Sequence, residues 1–200
     1  MVNTYLLYDE TGECIIIDPG CSDENEQNKV SEFISGYKLT LKRNINTHCH
    51  IDHVLGHGYI ESAYHILPEY HKAGEGFITA LPQIAGDFGY TIEHVPAAKG
   101  YFDDGDVITF GKSELKVLYT PGHADGSVCF YQPDQGFVIT GDVLFLESIG
   151  RTDLVTGHYD VLMKSIREKL FTLPDDVVVY PGHGPETTIG HEKRYNPFIL

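Results

Sequence analysis

The run Thr47–His53, THCHIDH, places five side chains able to bind a metal ion within six residues: His48, Cys49, His50, Asp52 and His53. A structural zinc takes about four protein ligands and a catalytic zinc about three plus a water. The run therefore either contains idle residues or serves more than one ion. Three further candidates each follow an apolar run: His123 after LKVLYTPG, Asp142 after FVITG and His183 after VVVYPG. One such residue behind a strand is most often a surface or packing residue. The joint pattern, HxHxDH and then His, Asp and His behind successive runs, is what points to a metal centre.

In an extended segment alternate side chains share a face, so His48 and His50 can approach one ion together while Cys49 turns into the packing as a small buried thiol. Asp52 and His53 are adjacent, and a helix starting there, as HVLGHGYIESAY suggests, turns them toward a second position. The expected assignment puts His48, His50 and His123 around one ion and Asp52, His53 and His183 around another, with the two oxygens of Asp142 bridging them. Water positions stay open on both ions, as a catalytic site requires. His57, His65, His71, His94 and His158 read as surface or packing residues, and His191 as a neighbour of the pocket that need not be a ligand.

The elements that must position these groups are short. NTYLLYD and CIIIDPG, around the turn ETGE, predict a β-hairpin. Ser22 is the expected N-cap of a helix with Val30, Phe33, Ile34 and Tyr37 at helical spacing and Gly36 near its end. A second helix is expected over 159–171, with Val161, Leu162, Ile166 and Leu170 on one face. ELKVLYT, SVCFY, FVITGD and DVVVY predict strands, the last one buried. The region 65–99, interrupted by Pro68, Pro82 and Pro96, gives only a loose reading.

With 200 residues the chain is expected to form one domain over 1–200. A net charge of −15 argues against a nucleic-acid partner. No run approaches the roughly 18 apolar residues of a membrane span, and the first residues do not have the make-up of a signal peptide. Four cysteines without a CxxC pair read as reduced thiols of a cytoplasmic protein.

With these residues placed, the chain resembles the metallo-β-lactamase superfamily from end to end, and within it the short glyoxalase II-like hydrolases. NTYLLYD, IIIDPG, NTHCHIDHVLG, TPGHADGSV, GDVLFLESIGRTDL and YPGHGPETTIGHEKRYNPF carry the likeness. The resemblance implies an αββα sandwich with the metals at one edge between two sheets. It also implies a dinuclear hydrolase, with zinc first and iron or manganese as alternatives, acting on thioesters such as S-lactoylglutathione. Long glyoxalase II enzymes add a C-terminal helical domain, which is not expected here because the chain ends 17 residues after His183. The lysine and tyrosine those enzymes place after GDxLF are replaced by LESIGRTDL, which bears on whether glutathione is the thiol.

The chemistry expected is hydrolysis of a small acyl thioester. Two ions lower the pKa of a bound water from about 15.7 to about 7, and Asp142 holds them roughly 3.5–4 Å apart. Asp52 ligates the second ion and orients the hydroxide, so Asp52 and Asp142 are the expected catalytic carboxylates. Arg151 and Asp153 of GRTD read as a structural ion pair in preference to a substrate-side pair. Tyr195 and Asn196 are candidates for the pocket wall. The rival enzyme class on the same scaffold is a mononuclear iron persulfide dioxygenase, with His48, His123 and Asp142 as its facial triad. A lactonase or β-lactamase, and a non-catalytic metal or redox module, rank below it.

Overall fold

In the computed structural model, which describes residues 2–199, the opening hairpin is the antiparallel pair β1 (Tyr5–Tyr8) and β2 (Glu13–Ile17). Helix α1 (Glu24–Gly36) returns the chain to β3 (Thr40–Ile45), parallel to β2. Short helices α2 (Ile51–Val54) and α3 (His57–Tyr64) lead to β4 (Pro68–His71), and α4 (Glu75–Asp87) leads to β5 (Gly100–Phe102). These strands form one sheet in the order β1-β2-β3-β4-β5. A second sheet begins as a meander of β6 (Val107–Phe110), β7 (Ser113–Tyr119), β8 (Val128–Gln132) and β9 (Phe137–Gly141). A small hairpin, β10 (Leu144–Phe145) and β11 (Ser148–Ile149), precedes α5 (Tyr159–Ser165). Then β12 (Val178–Pro181) pairs parallel with β9, and β13 (Thr187–Thr188) and α6 (Ile189–Tyr195) follow.

Burial follows the strand period of two. On β2, Ile15 and Ile17 meet Ile45, Val117, Phe130 and Ile139 between the sheets, whereas Cys14 and Ile16 face outward onto Val30 and Ile34 of α1 and Ile60 of α3. On β8, Val128 and Phe130 enter the same inter-sheet core, while Cys129 points outward to Leu162 and Ile166. The outcome is the expected four-layer αββα sandwich. All four cysteines are buried and unpaired. Among the described residues no helix is long and apolar enough to cross a membrane.

The structure corrects some local readings. Asp23, not Ser22, caps α1: its carboxylate accepts the Glu26 amide at 2.9 Å, while the Ser22 amide donates back to Glu26 at 2.8 Å. This is a capping box shifted by one residue, with glutamate at the third helical position. On the second helix Met163 is buried and Val161 is not, because at 3.6 residues per turn Ile166 lies on the Met163 side of Leu162; beyond it the helix widens to a π-type turn over 166–170. The loosely read region contains β4, which Pro68 opens, and α4, which runs through Pro82.

One glycine governs how the β7–β8 loop meets α5. Gly122 has φ +126°, and a Cβ there would collide with the backbone of Leu162. Its carbonyl accepts the His158 amide at 2.7 Å, so loop and helix start are locked together immediately before His123. Gly122→Ala should lower unfolding stability by roughly 2–4 kcal/mol, through strain and forced displacement of α5. Gly36→Ala, at a helical position with open space around it, should be neutral or stabilise by up to about 1 kcal/mol. Denaturant titration of both variants checks the pair of expectations.

Candidate metal centre

The loop after β3 carries His48, His50, Asp52 and His53, and the loops after β7, β9 and β12 carry His123, Asp142 and His183. The structure brings all seven together as three overlapping groups: His48, His50 and His123; His48, His53 and Asp142; and Asp52, His53 and His183. Within each group the donor atoms lie within 4.8 Å of one another. Metal–ligand bonds of about 2 Å span nearly that distance. Asp142 sits between the halves, its oxygens 3.5 Å from His53 Nε2 and 3.6 Å from both His123 Nε2 and His183 Nε2.

Hydrogen bonds fix which ring nitrogens face inward. The Thr47 hydroxyl donates to Asp18 at 2.6 Å, so its oxygen accepts from His48 Nδ1 at 3.2 Å. His53 Nδ1 donates to Asp18 at 3.0 Å, and His123 Nδ1 donates to the Arg151 carbonyl at 2.8 Å. Each of these rings turns Nε2 toward the centre. His50 turns Nδ1, which lies 2.9 Å from His123 Nε2. His183 Nε2 meets Asp52 at 3.1 Å.

His48 Nε2, His53 Nε2 and Asp142 Oδ1 are buried without a hydrogen-bond partner. Buried polar atoms are rarely left so, because each orphan costs about 1–3 kcal/mol. Three orphans converging in one place fit a site for cations. The protonation pattern agrees. Burial, then neighbouring imidazoles, holds His48 well below its ordinary value and His50 down to about 4, and burial lowers His123. These rings are neutral, the form that ligates. His53 differs: burial opposes its charge, but Asp18 and Asp142 outweigh burial and hold it up to about 10. Burial raises the Asp52 carboxyl, yet the His183 hydrogen bond and the His53 charge hold it below the carboxylate range. Without an ion, an imidazolium provides the positive charge in the second position.

The residues that aim this centre were not singled out from sequence. Asp18, wholly buried at φ +52° after β2, accepts the Thr47 amide at 2.7 Å besides the contacts above. Asn46 donates to Asp18 at 3.3 Å and to the His53 carbonyl at 2.9 Å, and its own oxygen accepts from His57 Nε2 at 2.7 Å. Asn3 holds the loop of His183 from the far side, bonding the carbonyls of Pro181 and Gly184. An acidic residue ending an apolar strand in IIIDPG is the only sequence signal among them.

The centre floors a basin of about 590 Å³ that Arg151 also lines. Arg151 forms a two-pronged pair with Asp153, both contacts at 2.9 Å. Tyr195 and Asn196 do not line the basin. Tyr195 is exposed beside His191, whereas Asn196 is buried, donating to the Ser148 carbonyl at 3.0 Å and to Glu192 at 2.8 Å. Asn196 therefore meets the basin only through the β10–β11 hairpin. His191 bonds Glu147 at 3.0 Å, outside the basin lining.

Residues 1–183 match the family model of the metallo-beta-lactamase superfamily, and the chain belongs to that superfamily. It is 34% identical over 199 residues to hydroxyacylglutathione hydrolase GloC of Haemophilus influenzae, covering 98% of this chain and 92% of that one. Among solved structures, BLEG-1 B3 metallo-beta-lactamase superposes with TM-score 0.88 at 33% identity, covering 100% of this chain and 94% of that one. The di-iron-bound form of TTHA1623 superposes with TM-score 0.86 at 34% identity, covering 99% and 95%. The superfamily binds divalent metals, and this chain carries a His/Asp cluster whose donor atoms could hold them.

Asp18→Asn should keep the fold but weaken metal binding by about 10–100-fold, as loss of a group orienting a ligand does. A competitive-chelator titration measures it, and unchanged affinity would remove Asp18 from the centre's support. His57 gives a pH test. Burial pushes it down to about 3 from 6.5, so its stabilisation is complete above 6.5 and is lost as pH falls from there toward 3. Between pH 6 and 4, metal-free His57→Gln should show a stability slope shallower than the parent's by about 1.4 kcal/mol per pH unit.

Proposed function

We propose that the protein is a dinuclear metal-dependent hydrolase, with zinc as its first-ranked ion, that cleaves acyl thioesters of small molecules. The carrying observation is that the seven donors converge as overlapping groups, His48/His50/His123 and Asp52/His53/His183 with His48/His53/Asp142 between them, and that His48, His53 and Asp142 each leave an orphaned atom there. Two divalent ions bound there supply Lewis acidity toward a water and a carbonyl oxygen. His48, His50 and His123 would hold one ion, Asp52, His53 and His183 the other, and Asp142 both.

Asp52 is 46% exposed at the edge of the centre and is held ionised. It is the carboxylate with the exposure and charge to accept a hydrogen bond from a water and orient it. Asp142, only 14% exposed, is confined to bridging. In the reaction the water oxygen bonds to the thioester carbonyl carbon and the C–S bond breaks. One proton of the water reaches the leaving sulfur, giving a carboxylic acid and a thiol. Likeness to a relative named hydroxyacylglutathione hydrolase supports the thioester class. Four free buried cysteines accord with a reducing cytoplasm. The acidic chain accords with a small-molecule partner rather than nucleic acid or membrane.

A second reading is a mononuclear iron dioxygenase on His48, His123 and Asp142. The 3.6 Å approach of Asp142 to His123 Nε2, and a related structure that holds iron, support keeping it. Elemental analysis of protein purified without added metal, together with a thioester panel, separates the readings. Two divalent ions per chain with turnover above buffer is the expected result. One iron with oxygen uptake on a persulfide would move the assignment, and no turnover across the panel would overturn hydrolysis of thioesters. Asp142→Ala should lose one ion and at least about 100-fold in rate; retention of both ions would refute the bridge.

A further inference from the structure

Above the metal-binding floor, the basin wall is made by the β10–β11 hairpin and the loop after it. Phe145, Leu146, Ile149 and Leu154 line it. Leu146 is 41% and Leu154 37% exposed, so these side chains stand in water beside a concave site. Exposed apolar surface gathered at a cleft is the usual mark of a ligand surface. The wall is also preformed: Glu192, itself buried, accepts the Glu147 amide at 2.9 Å, and Asn196 grips the Ser148 carbonyl at 3.0 Å. An apolar group entering the basin meets a wall already in place and gains affinity without the cost of ordering it.

Charge points the same way. Arg151 is the only lysine or arginine among the described residues that line the basin. Its Nε and Nη2 both donate to Asp153, at 2.9 Å each, and this two-pronged pair offsets its charge and takes one of the two edges by which a guanidinium grips a carboxylate. The formal net charge of the chain is −15. Among the described residues lining the basin, no lysine or arginine is left without an acidic partner.

We infer that the larger group flanking the scissile thioester is apolar and uncharged, an alkyl or aryl chain selected by Leu146 and Leu154, and that Asp153 cancels Arg151 so that anionic peptide thiols are disfavoured. This rests on the thioester hydrolase reading, which names the reaction but not the group.

The test uses the full chain loaded with zinc and two thioesters sharing one acyl group, one of benzyl mercaptan and one of glutathione. The benzyl thioester should have the higher kcat/KM by at least about tenfold, the scale of discrimination an apolar pocket provides. Leu146→Asp and Leu154→Asp should each raise KM for the benzyl ester by about tenfold with a smaller change in kcat. Asp153→Asn should narrow the benzyl-to-glutathione ratio at least about fivefold by freeing Arg151. A measurement without turnover runs beside these: binding of the neutral solvatochromic dye 6-propionyl-2-dimethylaminonaphthalene, followed by its blue-shifted emission. The parent protein should bind it and the two aspartate variants should not, with metal content and thermal unfolding confirming that each variant is folded. Glutathione thioester cleaved as well as the benzyl ester, an unchanged ratio in Asp153→Asn, or dye binding indifferent to both leucines would each overturn the inference. If no thioester turns over while the dye result holds, the reaction assignment fails and the apolar basin stands.

Discussion

A buried carboxylate must be paired, and the structure around the metal centre is organised by how Asp18 meets that requirement. Its two oxygens accept from the Thr47 amide and hydroxyl, from His53 Nδ1 and from Asn46. Breaking up such a buried set is strongly unfavourable because the charge cannot be left alone. Through Thr47 it fixes the ring of His48, and through His53 it fixes the ring shared by two of the donor groups. The left-handed backbone at Asp18 persists because these contacts over-determine it.

The fold supplies the same centre from its other side. His123 is aimed by the Arg151 carbonyl, and the Gly122 backbone lies so close to Leu162 that no side chain fits. Gly182 is a second close approach: a Cβ there would run into Asp142. Glycine is thus required beside two of the donors for room, independently of turn geometry. His48, His50 and His123 are held as neutral imidazoles and Asp52 and Asp142 as ionised carboxylates, so these five donors can receive cations without changing their own charge.

Much of this was legible from residue order. The period of two in THCHIDH put His48 and His50 on one side and Cys49 in the packing, and Cys49 is indeed buried with Tyr70, Ile78 and Leu81. Short apolar runs ended where the later donors stand, because strand ends are where backbone hydrogen bonding stops and side chains are released into loops. What could not be read depended on contacts between distant segments. Asp18 meets Thr47 across 29 positions, and Asn196 reaches the basin only through Ser148, 48 positions away. Phase errors were local: a cap displaced from Ser22 to Asp23, and a helix face that takes in Met163 rather than Val161 beside Leu162 and Ile166. Pro82 obscured α4 because a proline inside a helix normally breaks it, yet Ile78, Leu81 and Ala85 bury one face of that helix firmly enough to carry it.

The donors are divided between the two sheets. His48, His50, Asp52 and His53 follow β3 of the first, whereas His123, Asp142 and His183 follow β7, β9 and β12 of the second. An ion held by both sets is therefore a rivet across the seam of the sandwich. Ligands that bind only the folded chain stabilise it by mass action, and here that stabilisation would act across the seam between the two sheets. Parting the sheets there would release any ion so held, so the seam would hold or fail as a unit with the chemistry it houses.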